Sequence, residues 1–218
     1  MASTTRRSSV AADRRAAAEA RTLDVVEELL RTGASFTELS VERIASEAGL
    51  SRSTFYLYFR DKTDLALRLA SALKASIFDT GEDWDPHGPL DGLDWLARAY
   101  LRIIRTYRGR SATLAAVLEV AGYDRAVRAS LEATQRRFID RIAARLTDEQ
   151  RAGRTSPDID VLTAARVMVW GAEQVIATQV IRSAVDDEQD ARLARELAAS
   201  QWYGVYRRPA SQRGNTSD

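Results

Sequence analysis

Along this chain the apolar residues recur every three or four positions, and no stretch keeps the two-residue alternation of a half-buried strand. That property confines the fold to packed helices. An all-α architecture of about nine helices is therefore expected, ended and joined by glycine, proline and capping residues. At 218 residues the chain can bury a substantial core, and its 45% hydrophobic and 29% charged content is that of a globular protein.

The first helix spans roughly residues 10–32, with Leu23, Val26 and Leu30 on one stripe, and Gly33 stops it. Ser40 is placed to cap a short helix over 41–48, with Val41, Ile44, Ala45 and Ala48 turned inward. Gly49 ends that helix, because a sharp reversal there needs positive φ. Ser51 caps a second short helix over 52–58, and Asp61 caps a longer one over 62–79. Residues 80–92 hold three glycines and two prolines, which cannot continue a helix and mark a boundary. Two domains are expected, one over 10–79 and one over 92–207.

In the second domain, Leu93, Leu96, Tyr100, Ile103 and Tyr107 follow amphipathic spacing. Gly109 and Gly122 bracket a shorter helix, a long one ends near Gln150, and Pro157 suits a first helical turn. Residues 161–181 are apolar nearly all round, so that helix must be covered on two sides. Residues 187–206 mix small and large apolar side chains. These last two helices are expected to build a homodimer, with Ile176 and Ala194 as positions where a charge would break it.

Composition excludes several kinds of chemistry. Cysteine is absent and His87 is the only histidine, which removes disulfides, thiolate catalysis and cysteine-ligated zinc and leaves little for a Ser-His hydrolase. No Gly-rich phosphate loop and no spaced carboxylate pair on an apolar face is present, so an enzyme is not expected, nor a cofactor. Glu82, Asp83, Asp85 and His87 could ligate a metal, but in a Gly/Pro-rich connector they read as a solvated loop, and no metal site is assigned. The longest uncharged run is ten residues, 197–206, too short to span a bilayer, and the first residues lack a signal peptide's apolar stretch. A soluble, cytoplasmic protein without membrane contact is expected.

Net charge is only +1, so the chain is not globally basic. Distribution says more. Residues 1–22 carry five arginines against Asp13 and Glu19, whereas residues 22–50 carry two arginines against six carboxylates. Basic charge returns at Arg52, Arg60 and Lys62.

Residues 40–59 form a helix-turn-helix by pattern: two short capped helices joined through Gly49. A groove-reading helix needs one face free of large aliphatics. Here Ser51, Arg52, Ser53 and Thr54 offer hydroxyls, a guanidinium fork and backbone N–H groups at the N-terminal turn. Phe55 and Phe59, four apart, can pack inward. Tyr56 and Tyr58 are left for the DNA backbone, and Lys62 supplies a charge for a phosphate.

This stretch resembles the TetR family of bacterial transcriptional regulators. The resemblance rests on Ile44-Ala45, Ala48-Gly49-Leu50-Ser51, Thr54-Phe55-Tyr56, Tyr58-Phe59, Lys62 and Leu65, about forty residues from the start and after one helix. It covers residues 15–75 closely and the remainder only in plan. Phe55 departs from the pattern, where leucine is commoner. The run Phe55–Phe59 with Trp95 is also similar to the actinobacterial ethionamide-resistance regulators. The resemblance implies a ligand-responsive DNA-binding regulator, in the main a repressor, acting as a homodimer on a palindromic or pseudo-palindromic duplex operator. It implies DNA contacts by Arg52, Ser53, Thr54, Tyr56, Tyr58 and Lys62, to which the capping hydroxyls of Ser40 and Ser51 are added. It further implies an effector cavity in the second domain. Trp95, Tyr100, Tyr107, Phe138 and Trp170 are its candidate walls and Gln174 its polar group, which together suit a small, mostly apolar ligand.

Overall fold

A computed structural model describes residues 3–78 and 91–210. Its backbone contains nine α-helices and no strand among those residues: α1 (Ser3–Arg31), α2 (Val41–Glu47), α3 (Arg52–Tyr58), α4 (Lys62–Phe78), α5 (Gly92–Gly109), α6 (Ser111–Tyr123), α7 (Arg125–Arg151), α8 (Val161–Arg182) and α9 (Asp187–Gln201). A π-helical turn, Trp202–Tyr206, follows α9. The all-helical expectation is met. None of these helices is long and apolar enough to cross a membrane. The connector carrying Glu82, Asp83, Asp85 and His87 lies outside the described residues.

Packing divides the chain into two compact units. The first comprises residues 1–74 and 110–131, the second 75–109 and 132–218. Composition and packing thus divide the chain at different places, because α6 and the start of α7 belong with the N-terminal helices. Helices α4 and α7 each continue from one unit into the other.

The first unit is built on Val26, Leu30, Phe36, Ile44, Phe55, Phe59, Leu65, Leu69, Val117 and Val127, all 5% exposed or less. The helix stops follow local chemistry. Gly33 at φ 96° and Gly49 at φ 67° take the left-handed conformation that reverses the chain after α1 and α2. Two ion pairs close the unit's rim: Arg110 reaches Glu27 at 2.6 Å and Arg68 reaches Glu19 at 2.5 Å.

Three expected boundaries are corrected. Gly122 does not end α6, which runs to Tyr123, where the Asp124 backbone turns extended. The Asp124 carboxylate then accepts from the N–H groups of Ala126 and Val127 at 2.8 and 3.0 Å, so a side-chain cap and not a glycine separates α6 from α7. Pro157 lies in a turn ahead of α8, whose start is set by Asp160 accepting from Thr163 N at 2.7 Å. Gly92, grouped by composition with the connector, instead opens α5.

The second unit packs Leu96, Leu146, Met168, Ala198, Trp202 and Tyr206 together, with Leu93, Trp95, Tyr100 and Ile142 around them. Its polar interior is fully paired at two points. Arg108 grips Asp190 with two bonds of 2.9 and 2.8 Å and donates to the Val180 and Ser183 carbonyls, satisfying the end of α8. Glu149, 1% exposed, accepts from Arg154 at 2.8 and 2.9 Å and from Arg207 at 2.7 Å. Trp202 is pressed against Gly92, where a Cβ would stand 2.0 Å from Trp202 Cη2, and the Arg207 guanidinium stacks 4.1 Å from the ring centre.

Candidate nucleic-acid interface

Helices α2 and α3 are short, and each is started by a serine. Ser40 accepts from Arg43 N at 3.1 Å, and Ser51 accepts from Thr54 N at 3.1 Å. Between them the chain reverses at Gly49, with Leu50 N donating to Ala45 O at 2.8 Å. Phe55 and Phe59 are wholly buried with ring centres 5.1 Å apart, which fixes the rotation of α3 about its axis. Everything on the opposite face is thereby turned to solvent.

That outward face carries Arg52, Ser53, Tyr56 and Leu57, with Tyr56 44% and Leu57 71% exposed. Leu57 corrects the expectation of a face without large aliphatics: helical geometry places it four residues from Ser53, on the side away from Phe55. The Ser51 hydroxyl lies 2.8 Å from that of Ser53 and 2.7 Å from that of Thr54, forming a hydroxyl cluster at the start of α3. Thr54 itself is half-buried.

Arg52 does not extend freely. Its Nη1 lies 2.7 Å from Glu42 Oε1 on α2, and its guanidinium carbon lies 5.9 Å from the Tyr56 ring centre. Tyr58 is half-buried against the core, with the Arg15 guanidinium 5.9 Å from its ring centre and Arg68 donating to its carbonyl at 3.2 Å. Lys62 donates to the Thr37 carbonyl at 2.8 Å and stands 5.0 Å from the Phe36 ring centre. Burial pulls its ammonium below the usual lysine range, and the Glu119 carboxylate opposes that shift. Sequence reading missed Glu42, Arg15 and the exposure of Leu57. The first two are partners across helices, for which spacing along the chain gives no signal.

The six residues expected around an effector are not grouped alike. Trp95 packs against the second core with the Arg145 guanidinium 5.8 Å from its ring centre, and Phe138 is half-buried with Arg141 at 5.9 Å. Tyr100 donates to Gln201 Oε1 at 2.6 Å, and Gln201 Nε2 donates to the Met168 carbonyl at 3.3 Å. Burial pushes the phenols of Tyr100 and Tyr107 up, with the Glu173 carboxylate adding to the shift at Tyr107. Trp170 and Gln174, by contrast, stand on the exposed side of α8, where Gln174 donates to Thr178 Oγ1 at 3.2 Å.

Residues 33–69 match the family model described as bacterial regulatory proteins, tetR family. No curated protein matches the chain in sequence. Among solved structures, GusR of Salmonella enterica is similar at 20% identity, over 87% of this chain and 95% of that one, with a TM-score of 0.67. FadR of Bacillus subtilis, solved in complex with stearoyl-CoA, is similar at 19% identity over 85% and 98%, with a TM-score of 0.64. A TetR-like transcriptional regulator from Rhodococcus sp. RHA1 is similar at 23% identity over 84% and 94%, with a TM-score of 0.58. The capped pair α2–α3 thus lies within the segment that matches the tetR family of bacterial regulatory proteins, in a chain that has the fold of TetR-type regulators.

Proposed function

We propose that this protein is a homodimeric, ligand-responsive transcriptional regulator that represses from a palindromic or pseudo-palindromic operator and is released by a small, mostly apolar molecule. The observation that carries the reading is the reading helix itself. Buried Phe55 and Phe59 lock α3 so that Arg52, Ser53 and Tyr56 face outward together. Arg52 reads a base edge, Ser51, Ser53, Thr54 and Tyr56 bond phosphates and bases, and Ser40, Tyr58 and Lys62 steady the backbone. The kinship with ethionamide-resistance regulators, carried by residues 55–59 and Trp95, belongs to the same reading.

Dimerisation is assigned to α8 with α9. The spacing of Val167, Trp170, Gln174 and Ile181 puts them on one stripe of α8, and Val167, Trp170 and Ile181 are 67%, 51% and 41% exposed. Two half-sites about 34–36 Å apart then receive one reading helix each. Trp95, Tyr100, Tyr107 and Phe138 remain the effector's candidate walls, with Trp170 and Gln174 reaching it from the dimer side. Helix α4 continues from the first unit into the second, so a ligand that tilts it spoils the half-site spacing.

Two experiments test the reading. Selection of duplexes from a random-sequence pool by the full chain should enrich a two-fold symmetric site. A tryptophan-fluorescence and thermal-shift screen of lipophilic metabolites should then give hits that release that duplex. Enrichment of no duplex overturns the regulator; hits that stabilise the protein yet leave DNA affinity unchanged overturn the switch.

A further inference from the structure

We infer that Leu57 is a base-reading residue whose isobutyl group packs on the 5-methyl group of a thymine in the major groove, an inference that rests on the DNA-binding reading above. On a seven-residue helix whose inward side is filled by Phe55, with Phe59 buried just past its end, Leu57 is 71% exposed. The fold itself gains nothing from it there. Its neighbours on the outward face, Ser53 and Tyr56, with Arg52 at the helix start, are polar or amphipathic and suit phosphates and base edges.

A protein partner is the poorer occupant. A specific protein interface needs about 800 Å² from each side, and one leucine among hydroxyls, a guanidinium and a phenol is an isolated apolar spot. The floor of the major groove offers donors and acceptors and one apolar group, the thymine methyl. A side chain of this size and chemistry, four residues from Ser53 and next to Tyr56, matches that group. Leu57 therefore discriminates thymine from cytosine at one position of each half-site, by contact and not by hydrogen bonding.

The test uses the full chain and a duplex that it selects from a random-sequence pool. Each thymine is replaced in turn by deoxyuridine, symmetrically in both half-sites, which removes the methyl and leaves base pairing intact. For the wild type, one position should lose affinity about four-fold per half-site, the effect of one buried methyl group. Leu57→Ala should bind thymine and deoxyuridine equally there and keep the wild-type response elsewhere, while Leu57→Met should retain the discrimination. Position 57 is exposed, so both variants should keep the wild-type melting temperature. A Leu57→Ala profile identical to wild type, or a wild type insensitive to every deoxyuridine, overturns the assignment and leaves the regulator standing. Failure to enrich any duplex overturns the DNA-binding reading, and this inference falls with it.

Discussion

Arg52 and Glu42 are joined across the helix-turn-helix: the guanidinium of one helix lies 2.7 Å from the carboxylate of the other, and both side chains are more than half exposed. An exposed pair of this kind contributes about 1 kcal/mol to stability at most. Its consequence is for recognition, because it fixes where Arg52 waits and sets an anion beside the expected path of the phosphates. Arg52→Ala should weaken binding to the selected duplex by about 1–3 kcal/mol and hardly change binding to scrambled DNA. Glu42→Gln should do the reverse, tightening all duplexes and narrowing the gap between selected and scrambled. Fluorescence anisotropy on both duplexes reads the two effects.

Lys62 serves the fold through Thr37 and Phe36 while keeping a cation at the start of α4. Replacing it by methionine keeps the stem and removes the charge. Affinity should then fall alike for every sequence, and the slope of log K against log salt should shrink by about one phosphate's worth. An unchanged slope removes Lys62 from the set of phosphate contacts.

The apolar all-round helix α8 has an inside and an outside that the sequence could not separate. Ile176 and, on α9, Ala194 are 2% and 1% exposed within the chain's own second unit, whereas Val167 is 67% and Trp170 51% exposed. A charge at Ile176 or Ala194 should therefore abolish cooperative melting. Val167→Glu with Trp170→Glu should give a folded monomer, measured by sedimentation, with DNA affinity reduced at least a hundred-fold. A folded dimer from the double variant would place the interface elsewhere.

Gly92 has no room for a side chain because Trp202 occupies it, and Trp202 is itself held by Arg207. Gly92→Ala should destabilise the second unit by roughly 1–3 kcal/mol, the usual result of overpacking. The change should appear as a lower melting temperature together with a shifted tryptophan emission. Gly109→Ala, where no heavy atom lies within 4 Å of the new carbon, is the control.

Burial alone would push the Glu149 carboxyl up, but hydrogen bonds from Arg154 and Arg207 outweigh it and hold the carboxyl below its usual 4.5. A folded-state pKa below the unfolded one gives stability that is complete above pH 4.5 and is lost as pH falls through the folded value. Glu149→Gln should cost about 1–3 kcal/mol at neutral pH. Denaturant melts across pH should show its gap from wild type closing in acid.

Features that depend on neighbours along the chain are legible in the residues alone. The serine caps at 40 and 51, the reversal at Gly49, the inward Phe55 and Phe59 and the all-helical class are matters of a few residues' conformational preference, and each is present as expected. Other features depend on how a helix is rotated and on what crosses from another, and these come from packing. A glycine did not end α6, because Asp124 offered a better cap for the next helix. Helix α6 joined the N-terminal unit, because Val117 and Val120 are buried in the same core as Val26, Phe55 and Phe59. The outward turn of Leu57, the pairing of Arg52 with Glu42 and the exposed stripe of α8 follow from the same cause: apolar spacing fixes that a helix has a buried face, but packing chooses which one.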